Sequence, residues 1–202
     1  SLLVALPSEH GITEGLNNLA EALSATGIEV WVADPFTSWF LPEAESSLAR
    51  IPVSAYAELI SKAEKTGKDI YLFSNDKGAG MALEAARAWQ TASDGLLSGV
   101  ILVSPDLYSK TPVAGEEGKF LPITAATNLP VYIFLPGKST LALRIRQNVE
   151  MLQTGGSNVY LHSLRDVRNR FYFRPDANEL EQQAAADFAD QVAQAMKLTR
   201  SF

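Results

Sequence analysis

The sequence contains no cysteine among its 202 residues. Disulfide bonds, thiolate metal sites and cysteine nucleophiles are therefore excluded. The absence fits both oxidising and reducing compartments, so it does not indicate where the protein resides. Histidine is also scarce, and a reaction that needs a histidine base has only His10 and His162 to draw on.

Long apolar runs and an excess of basic charge are missing as well. No run approaches the roughly 20 apolar residues that would span a bilayer. The chain carries 17 basic and 23 acidic residues, so it lacks the concentrated basic face that nucleic acid or an anionic membrane requires. We expect no membrane span and no nucleic-acid partner. The chain opens at Ser1, as a trimmed or processed protein would, which leaves room for a targeting segment that was removed.

Short apolar runs alternate with amphipathic stretches along the whole chain. This rhythm is typical of βαβ units around a mostly parallel sheet, and the length suits one α/β domain over residues 1–202 with helices on both faces. The predicted strands are Leu2 to Leu6, Glu29 to Ala33, Ile70 to Phe73, Gly99 to Val103, Val131 to Leu135 and Asn158 to His162. Helices are predicted at about residues 14–25, 55–65, 79–91, 140–153 and 178–197.

Three connections between these elements are long, and each begins where a strand ends. They are residues 35–53, 106–128 and 165–177. In open α/β sheets, ligands bind in the crevice beyond the carboxyl ends of the strands. We therefore expect any functional site to lie between these three loops.

The stretch "FSNDKGAG", residues 73–80, joins a predicted strand to a predicted helix through a sharp turn. It resembles the G-x-S-x-G nucleophile turn of the α/β-hydrolase superfamily, with Asp76 in the place of the serine. The order of elements resembles the same superfamily from its third strand onward, over nearly the whole chain. The resemblance implies a three-layer fold of about six mainly parallel strands that lacks the family's first two. Glu29 to Ala33 then becomes a sheet edge, where a protein partner or a second copy could pair.

The resemblance implies that Asp76 could be a nucleophile, as in relatives that open epoxides or displace halide from haloalkanes. From the residues alone, a helix-capping carboxylate is the simpler reading. The loop after the last strand contains no histidine. Where relatives often have H-G-F, this chain has Asn169, Arg170 and Phe171, and neither the asparagine nor the arginine can accept a proton at neutral pH.

The remaining members of a catalytic triad are also displaced. No Asp or Glu occurs from residue 118 to 149, so Asp106 in "VSPDLY" is the candidate acid, with an ordinary turn aspartate as the alternative. We expect His162, inside the final strand, to be structural. His10 in "LPSEHGITEG" resembles part of the family's H-G pair; we expect an exposed loop residue there, with a substrate contact as the alternative, and Ser8 as a further ligand contact.

The stretch "LPGKST", residues 135–140, resembles the end of a P-loop. A nucleotide loop needs an earlier glycine, and Tyr132 occupies that position, so nucleotide binding is not expected. Ser139, beside Lys138 and Thr140, could hold one small anion at a helix start or could simply cap the helix.

The loop from Arg165 to Arg174 contains four arginines interleaved with three aromatic residues. Guanidinium groups suit carboxylate or phosphate ligands, although salt bridges to acids such as Asp166, Asp176 and Glu179 are the commoner use. The candidate ligand-binding residues are Ser8, Lys77, Ser139, Arg168, Asn169 and Arg170.

The segment "GGSNVYLHSLRDVRNRFYFRP", together with "LPGKSTLALRIRQ", also resembles hydrolase-like domains that are joined to TlpA-type thioredoxin-like modules in bacteria. This resemblance implies an exported, periplasmic protein whose redox cysteines lie outside this chain. It implies a thioredoxin-like module as a fused or associated partner.

The sequence thus favours a non-catalytic or accessory α/β-hydrolase-like domain that binds an anionic small ligand or a protein partner in its crevice. The alternative is an atypical hydrolase that uses Asp76 as nucleophile and Asp106 as acid on an ester, epoxide or haloalkane. Neither reading calls for a metal or a cofactor.

Overall fold

A single parallel sheet of six strands forms the centre of the molecule. The computed structural model describes residues 1–93, 95, 97–110, 112–113 and 118–200. The strands run in the order β2-β1-β3-β4-β5-β6, and every neighbouring pair is parallel. They are β1 Leu2–Ala5, β2 Glu29–Val32, β3 Ile70–Asn75, β4 Gly99–Val103, β5 Val131–Pro136 and β6 Val159–Leu164.

Helices cover both faces of this sheet, as the sequence predicted. They are α1 Glu14–Ala25, α2 Pro35–Ser38, α3 Glu45–Leu48, α4 Val53–Glu64, α5 Gly78–Ser93, α6 Ile145–Thr154, α7 Glu179–Ala186 and α8 Phe188–Thr199, with 3₁₀ turns at Pro122–Ala125 and Thr140–Leu143. No helix among the described residues combines the length and apolar character needed to cross a bilayer.

Side chains of β1 point alternately to the two faces of the sheet, so the hydrophobic core has two parts, one on each face. Leu2 and Val4 pack with the apolar faces of α4, α5 and α6, whereas Leu3 and Ala5 pack with α1 and α8. The central strands are buried on both faces, which explains why they are continuous apolar runs in the sequence. The fold is therefore the predicted three-layer α/β arrangement.

Several predicted elements need correction. The helix predicted at 140–153 is interrupted at Arg144, which separates a 3₁₀ turn from α6. The helix predicted at 178–197 is interrupted at Asp187, which ends α7 and begins α8. The connection at 35–53 contains the short helices α2 and α3, which have four residues each and too little sequence to show a helical period.

The loop at 165–177 is anchored by an ion pair between Arg168 and a buried carboxylate. Glu181, in the first turn of α7, is fully buried, and its carboxylate accepts hydrogen bonds from Nε and the backbone N–H of Arg168 at 2.6 and 3.0 Å. Arg168 also bonds to Asp176, and Asn178 forms a reciprocal capping box with Glu181. Arg168 was expected to bind a ligand, but its guanidinium is committed to these contacts and does not line the crevice described below.

The strand β2 forms one edge of the sheet. Backbone N–H groups of Glu29 and Ala33 donate to Ser1 and Ala5 in the neighbouring strand region, at 3.2 and 3.0 Å. Because strand residues alternate in direction, the N–H groups of Val30 and Val32 point away from β1. This edge confirms the predicted position of the strand and leaves backbone groups that a second copy could pair with.

Replacing Val30 by proline tests whether this edge carries a dimer. Proline removes an outward N–H without removing a hydrogen bond to β1, so the fold should persist while edge pairing is blocked. If the edge carries a dimer, light scattering should show a mass that rises with concentration for the wild type and for the control Val30→Thr, and a constant monomer mass for Val30→Pro. A wild-type mass that does not change with concentration would remove the edge as a self-association surface.

The Glu181 ion pair should make stability depend on acidity. The hydrogen bond from Arg168 lowers the pKa of Glu181 from 4.5 to about 2. Its stabilisation is therefore fully present above about pH 4.5 and is lost as the pH falls towards 2. We expect Glu181→Gln to lower stability at pH 7 by about 2 kcal/mol, less than for a fully buried pair because Arg168 is partly exposed.

Urea unfolding at several pH values measures this effect. The difference in unfolding free energy between wild type and Glu181→Gln should shrink as the pH falls from 5 to 2. Glu179→Gln, which changes an exposed carboxylate on the same helix turn, is the matched control. A difference that stays constant across this window would contradict a charge-dependent anchor.

Candidate functional site

A crevice of 520 Å³ lies beyond the carboxyl ends of β3, β4 and β5. The predicted loops at 35–53, 106–128 and 165–177 all contribute to its walls. Its principal polar lining residues are Glu9, Glu45, Asp76, Lys77, Ser104, Asp106, Tyr108, Ser139, Thr140, Arg144, Asn169 and Arg170. Four of the six candidate ligand-binding residues are therefore brought together here, whereas Ser8 and Arg168 are not.

Asp76 occupies the apex of the turn between β3 and α5. Its φ of 45° lies in the left-handed region, which non-glycine residues adopt infrequently. The backbone is held from both sides, because Asp76 N–H donates to Val103 at 3.1 Å and Asp106 N–H donates to the Asp76 carbonyl at 2.9 Å. A Cβ atom at Gly78 would approach the Ser74 hydroxyl oxygen to 2.5 Å, so a side chain at this position would force the turn open.

The Asp76 carboxylate is held by two amide side chains. Its Oδ1 accepts from Nδ2 of Asn169 and its Oδ2 accepts from Nδ2 of Asn75, each at 2.9 Å. No helix N–H group among the described residues donates to this carboxylate, so the predicted capping role is wrong. The side chain is 9% exposed, and Nε of Arg170 lies 3.6 Å from Oδ2.

His10 comes nearer to Asp76 than the sequence indicated. Its Nε2 lies 3.8 Å from Oδ2 of Asp76 and 3.4 Å from Oε1 of Glu9. The ring packs against Phe173 with centroids 5.7 Å apart, and the side chain is 26% exposed, so the expectation of an exposed loop residue is corrected. The nitrogen is buried and has no hydrogen-bond partner among the described residues. The separation from Asp76 exceeds a hydrogen bond.

Glu9 was not singled out in the sequence, although it adjoins His10. Burial, followed by the nearby Asp76 charge, raises its pKa above the usual value. Oε2 of Glu9 accepts the backbone N–H of Lys77 at 3.2 Å, which ties the loop after β1 to the turn after β3. The loop that resembles an oxyanion loop is thus closed against the turn.

His162 is a structural residue, as predicted. It lies in β6, and its Nδ1 makes a 3.1 Å hydrogen bond with the hydroxyl of Tyr132. Burial lowers the pKa of the imidazole. His162 is not part of the crevice lining and offers Asp76 no base.

Asp106 pairs with a cation rather than with a histidine. Its Oδ2 lies 2.9 Å from Nζ of Lys77, which also approaches Glu45 at 3.3 Å. Burial opposes the charge on Lys77, but the hydrogen bond to Asp106 and the two carboxylate charges outweigh it, so the pKa of Lys77 is raised. Both predicted residues line the crevice, and each partly neutralises the other.

Ser104 and Ser139 form a further polar pair on the crevice wall. Ser139, a predicted ligand residue, accepts the N–H of Leu141 at 3.2 Å and lies 3.1 Å from the Ser104 hydroxyl oxygen. Sequence reasoning missed Ser104, because serine gives no signal for the left-handed φ of 48° that it adopts. Ser8 is buried, and its hydroxyl oxygen accepts the N–H of His10 at 3.4 Å.

One group of side chains in the described residues has metal-ligand geometry. Ligand atoms of Glu9, His10 and Asp76 all lie within 4.8 Å of one another. Arg170, however, approaches the same oxygens of Glu9 and Asp76 that face His10, at 3.9 and 3.6 Å. A cation there would have to displace the guanidinium, so these residues fit a metal poorly.

No protein-family model matches the chain, and no curated protein matches it. Solved structures do. A candidate dienelactone hydrolase from Klebsiella pneumoniae superposes with a TM-score of 0.71 and 13% identity, covering 97% of this chain and 86% of its own. Carboxyl esterase 2 from Tuber melanosporum gives 0.71 and 11%, covering 98% and 78%. Thermogutta terrifontis esterase 2 gives 0.66 and 16%, covering 96% and 82%.

These similarities extend over nearly all of the present chain, at identities that establish the fold alone. The protein therefore has the α/β-hydrolase fold, as its sequence predicted.

Proposed function

We propose that this chain is a non-catalytic domain that binds a small anionic ligand in the crevice above the strand ends. The proposal rests on the contacts of the Asp76 carboxylate at the turn after β3. Both oxygens of Asp76 accept hydrogen bonds from amides, and no histidine nitrogen among the described residues lies within hydrogen-bonding distance. The ester intermediate of a carboxylate nucleophile is hydrolysed by water, and this step needs a base that activates the water.

Arg170 supplies the main attraction for an anion. Its side chain is 44% exposed, and its nearest carboxylate oxygens lie at 3.6 and 3.9 Å, beyond hydrogen-bonding distance. Lys77, by contrast, is shared between Asp106 and Glu45. The guanidinium of Arg170 is thus available to bind a carboxylate or phosphate through two parallel hydrogen bonds.

The acidic residues of the crevice have partners of their own besides Arg170. Asp76 is solvated by two amide groups, and Asp106 and Glu45 share Lys77. The raised pKa of Glu9 makes its charge easier to neutralise by protonation. The volume of 520 Å³ falls within the range of small-molecule sites.

The similar solved structures are named as hydrolases and esterases, and this makes hydrolysis the alternative to test. In that alternative Asp76 would attack the substrate and Asp106 would orient a base. The pairing of Asp106 with Lys77 and the 3.8 Å gap to His10 weigh against it. Binding without turnover requires only the crevice and its cationic groups, whereas hydrolysis would also require a base in contact with Asp76 or with a water beside it.

Calorimetric titration with benzoate and with inorganic phosphate tests the proposal. We expect saturable binding of at least one probe by the wild type. Arg170→Gln should weaken that binding about tenfold, because charged hydrogen bonds are lost. Arg165→Gln changes an exposed arginine of the same loop that does not line the crevice, and it should bind like the wild type.

A turnover assay run beside the titration addresses the alternative. Purified protein is incubated with activated esters, epoxides and haloalkanes, and Asp76→Asn is measured in parallel. We expect no turnover above buffer. Turnover that disappears in Asp76→Asn would overturn the non-catalytic assignment and establish an aspartate nucleophile.

A further inference from the structure

We propose that Ser104 and Ser139 form a hydroxyl donor subsite that accepts an oxygen of the bound anion. This inference rests on the proposed function and specifies which atoms of the crevice would meet the ligand. The two serines come from different loops, one after β4 and the other after β5. Both line the crevice, yet they are only 4% and 9% exposed, so they form part of its inner wall.

The pair of Ser104 and Ser139 has two hydroxyl protons, but its contacts with the described residues use only one of them. Each serine hydroxyl has one proton to donate and two lone pairs that accept. The 3.1 Å contact between the two oxygens uses one proton, and the N–H of Leu141 occupies a lone pair of Ser139. The other hydroxyl proton has no acceptor among the described residues. Because both serines line the crevice, an acceptor bound there can receive a hydrogen bond from this hydroxyl.

The backbone at Ser104 supports a functional reading of this pair. Its φ of 48° places a non-glycine residue in the left-handed region, and its N–H is fixed by a 2.9 Å hydrogen bond to Phe134 in β5. Glycine would adopt this conformation at lower free energy, but it has no hydroxyl. Strained positions of this kind concentrate where a side chain must be presented to a ligand.

The donor pair narrows the class of ligand. A hydroxyl donor in the same crevice as the Arg170 guanidinium suits an oxyanion, whose oxygens can accept hydrogen bonds from both. Carboxylates and phosphates share this chemistry. The ligand would therefore place its anionic oxygens between the serine pair and Arg170.

Ser104→Gly separates binding from folding. It removes the hydroxyl and also relieves the left-handed strain, so the melting temperature should stay constant or rise. We expect the affinity for the bound probe, benzoate or inorganic phosphate, to fall about tenfold. Ser139→Ala should weaken binding similarly and lower the melting temperature, because it removes the contact with Leu141. Ser163→Ala, at an exposed serine of β6, should change neither quantity.

Each other outcome has a distinct meaning. If Arg170→Gln weakens binding but both serine variants bind like the wild type, the subsite is overturned and the proposed function stands. If the wild type binds neither probe, both are overturned. If Ser104→Gly lowers the melting temperature along with the affinity, the serine is structural and the subsite is overturned. The stronger of the two probes identifies the ligand as a carboxylate or a phosphate.

Discussion

The left-handed backbone at Asp76 is the constraint on which the rest of the site depends. Hydrogen bonds to the end of β4 and from Asp106 fix it from both sides, so the turn is tied to β4 and to the loop that follows β4. This arrangement presents the Asp76 side chain to the loops after β1 and β6. Asn169 and Arg170 then meet it from one side and Glu9 and His10 from the other. The geometry of the crevice follows from a single turn conformation.

The negative charge of Asp76 interacts with two neutral amide groups and with one guanidinium group. Two amide groups solvate Asp76 without neutralising it, and the guanidinium of Arg170 adds a longer-range attraction. A hydrolase would need one histidine nitrogen in direct contact with the carboxylate or with a water beside it. In the present site an asparagine holds that contact. This contact holds the carboxylate in place, and an amide cannot accept a proton at neutral pH.

The fold could be predicted because strands that are buried on both faces of a parallel sheet appear in the sequence as continuous apolar runs. The prediction ended β3 at Phe73, whereas the strand continues to Asn75, because Ser74 and Asn75 are polar residues whose hydrogen bonds are made inside the fold. Arg168 shows which feature of the candidate site could not be predicted from the sequence. Its main partner, Glu181, lies thirteen residues away, and no local pattern reveals that this carboxylate is fully buried. Left-handed serine at 104 gave no signal either, since serine has no intrinsic preference for that conformation.

Three of the residues that line the crevice, Asp76, Ser104 and Arg170, have a left-handed backbone. Asp76 and Ser104 each place a non-glycine side chain in the left-handed region, at the carboxyl ends of adjacent strands. Such conformations cost about 1–2 kcal/mol and persist when the surrounding structure enforces them. Glycine at either position would remove that cost without disturbing the sheet. Glycine would also remove contacts that the side chains make, because Asp76 accepts hydrogen bonds from Asn75 and Asn169 and Ser104 is hydrogen-bonded to Ser139. Under the proposed function, the contacts of a bound anion with Ser104 would be lost as well, so the strained backbone and the binding of the ligand would depend on the same side chain.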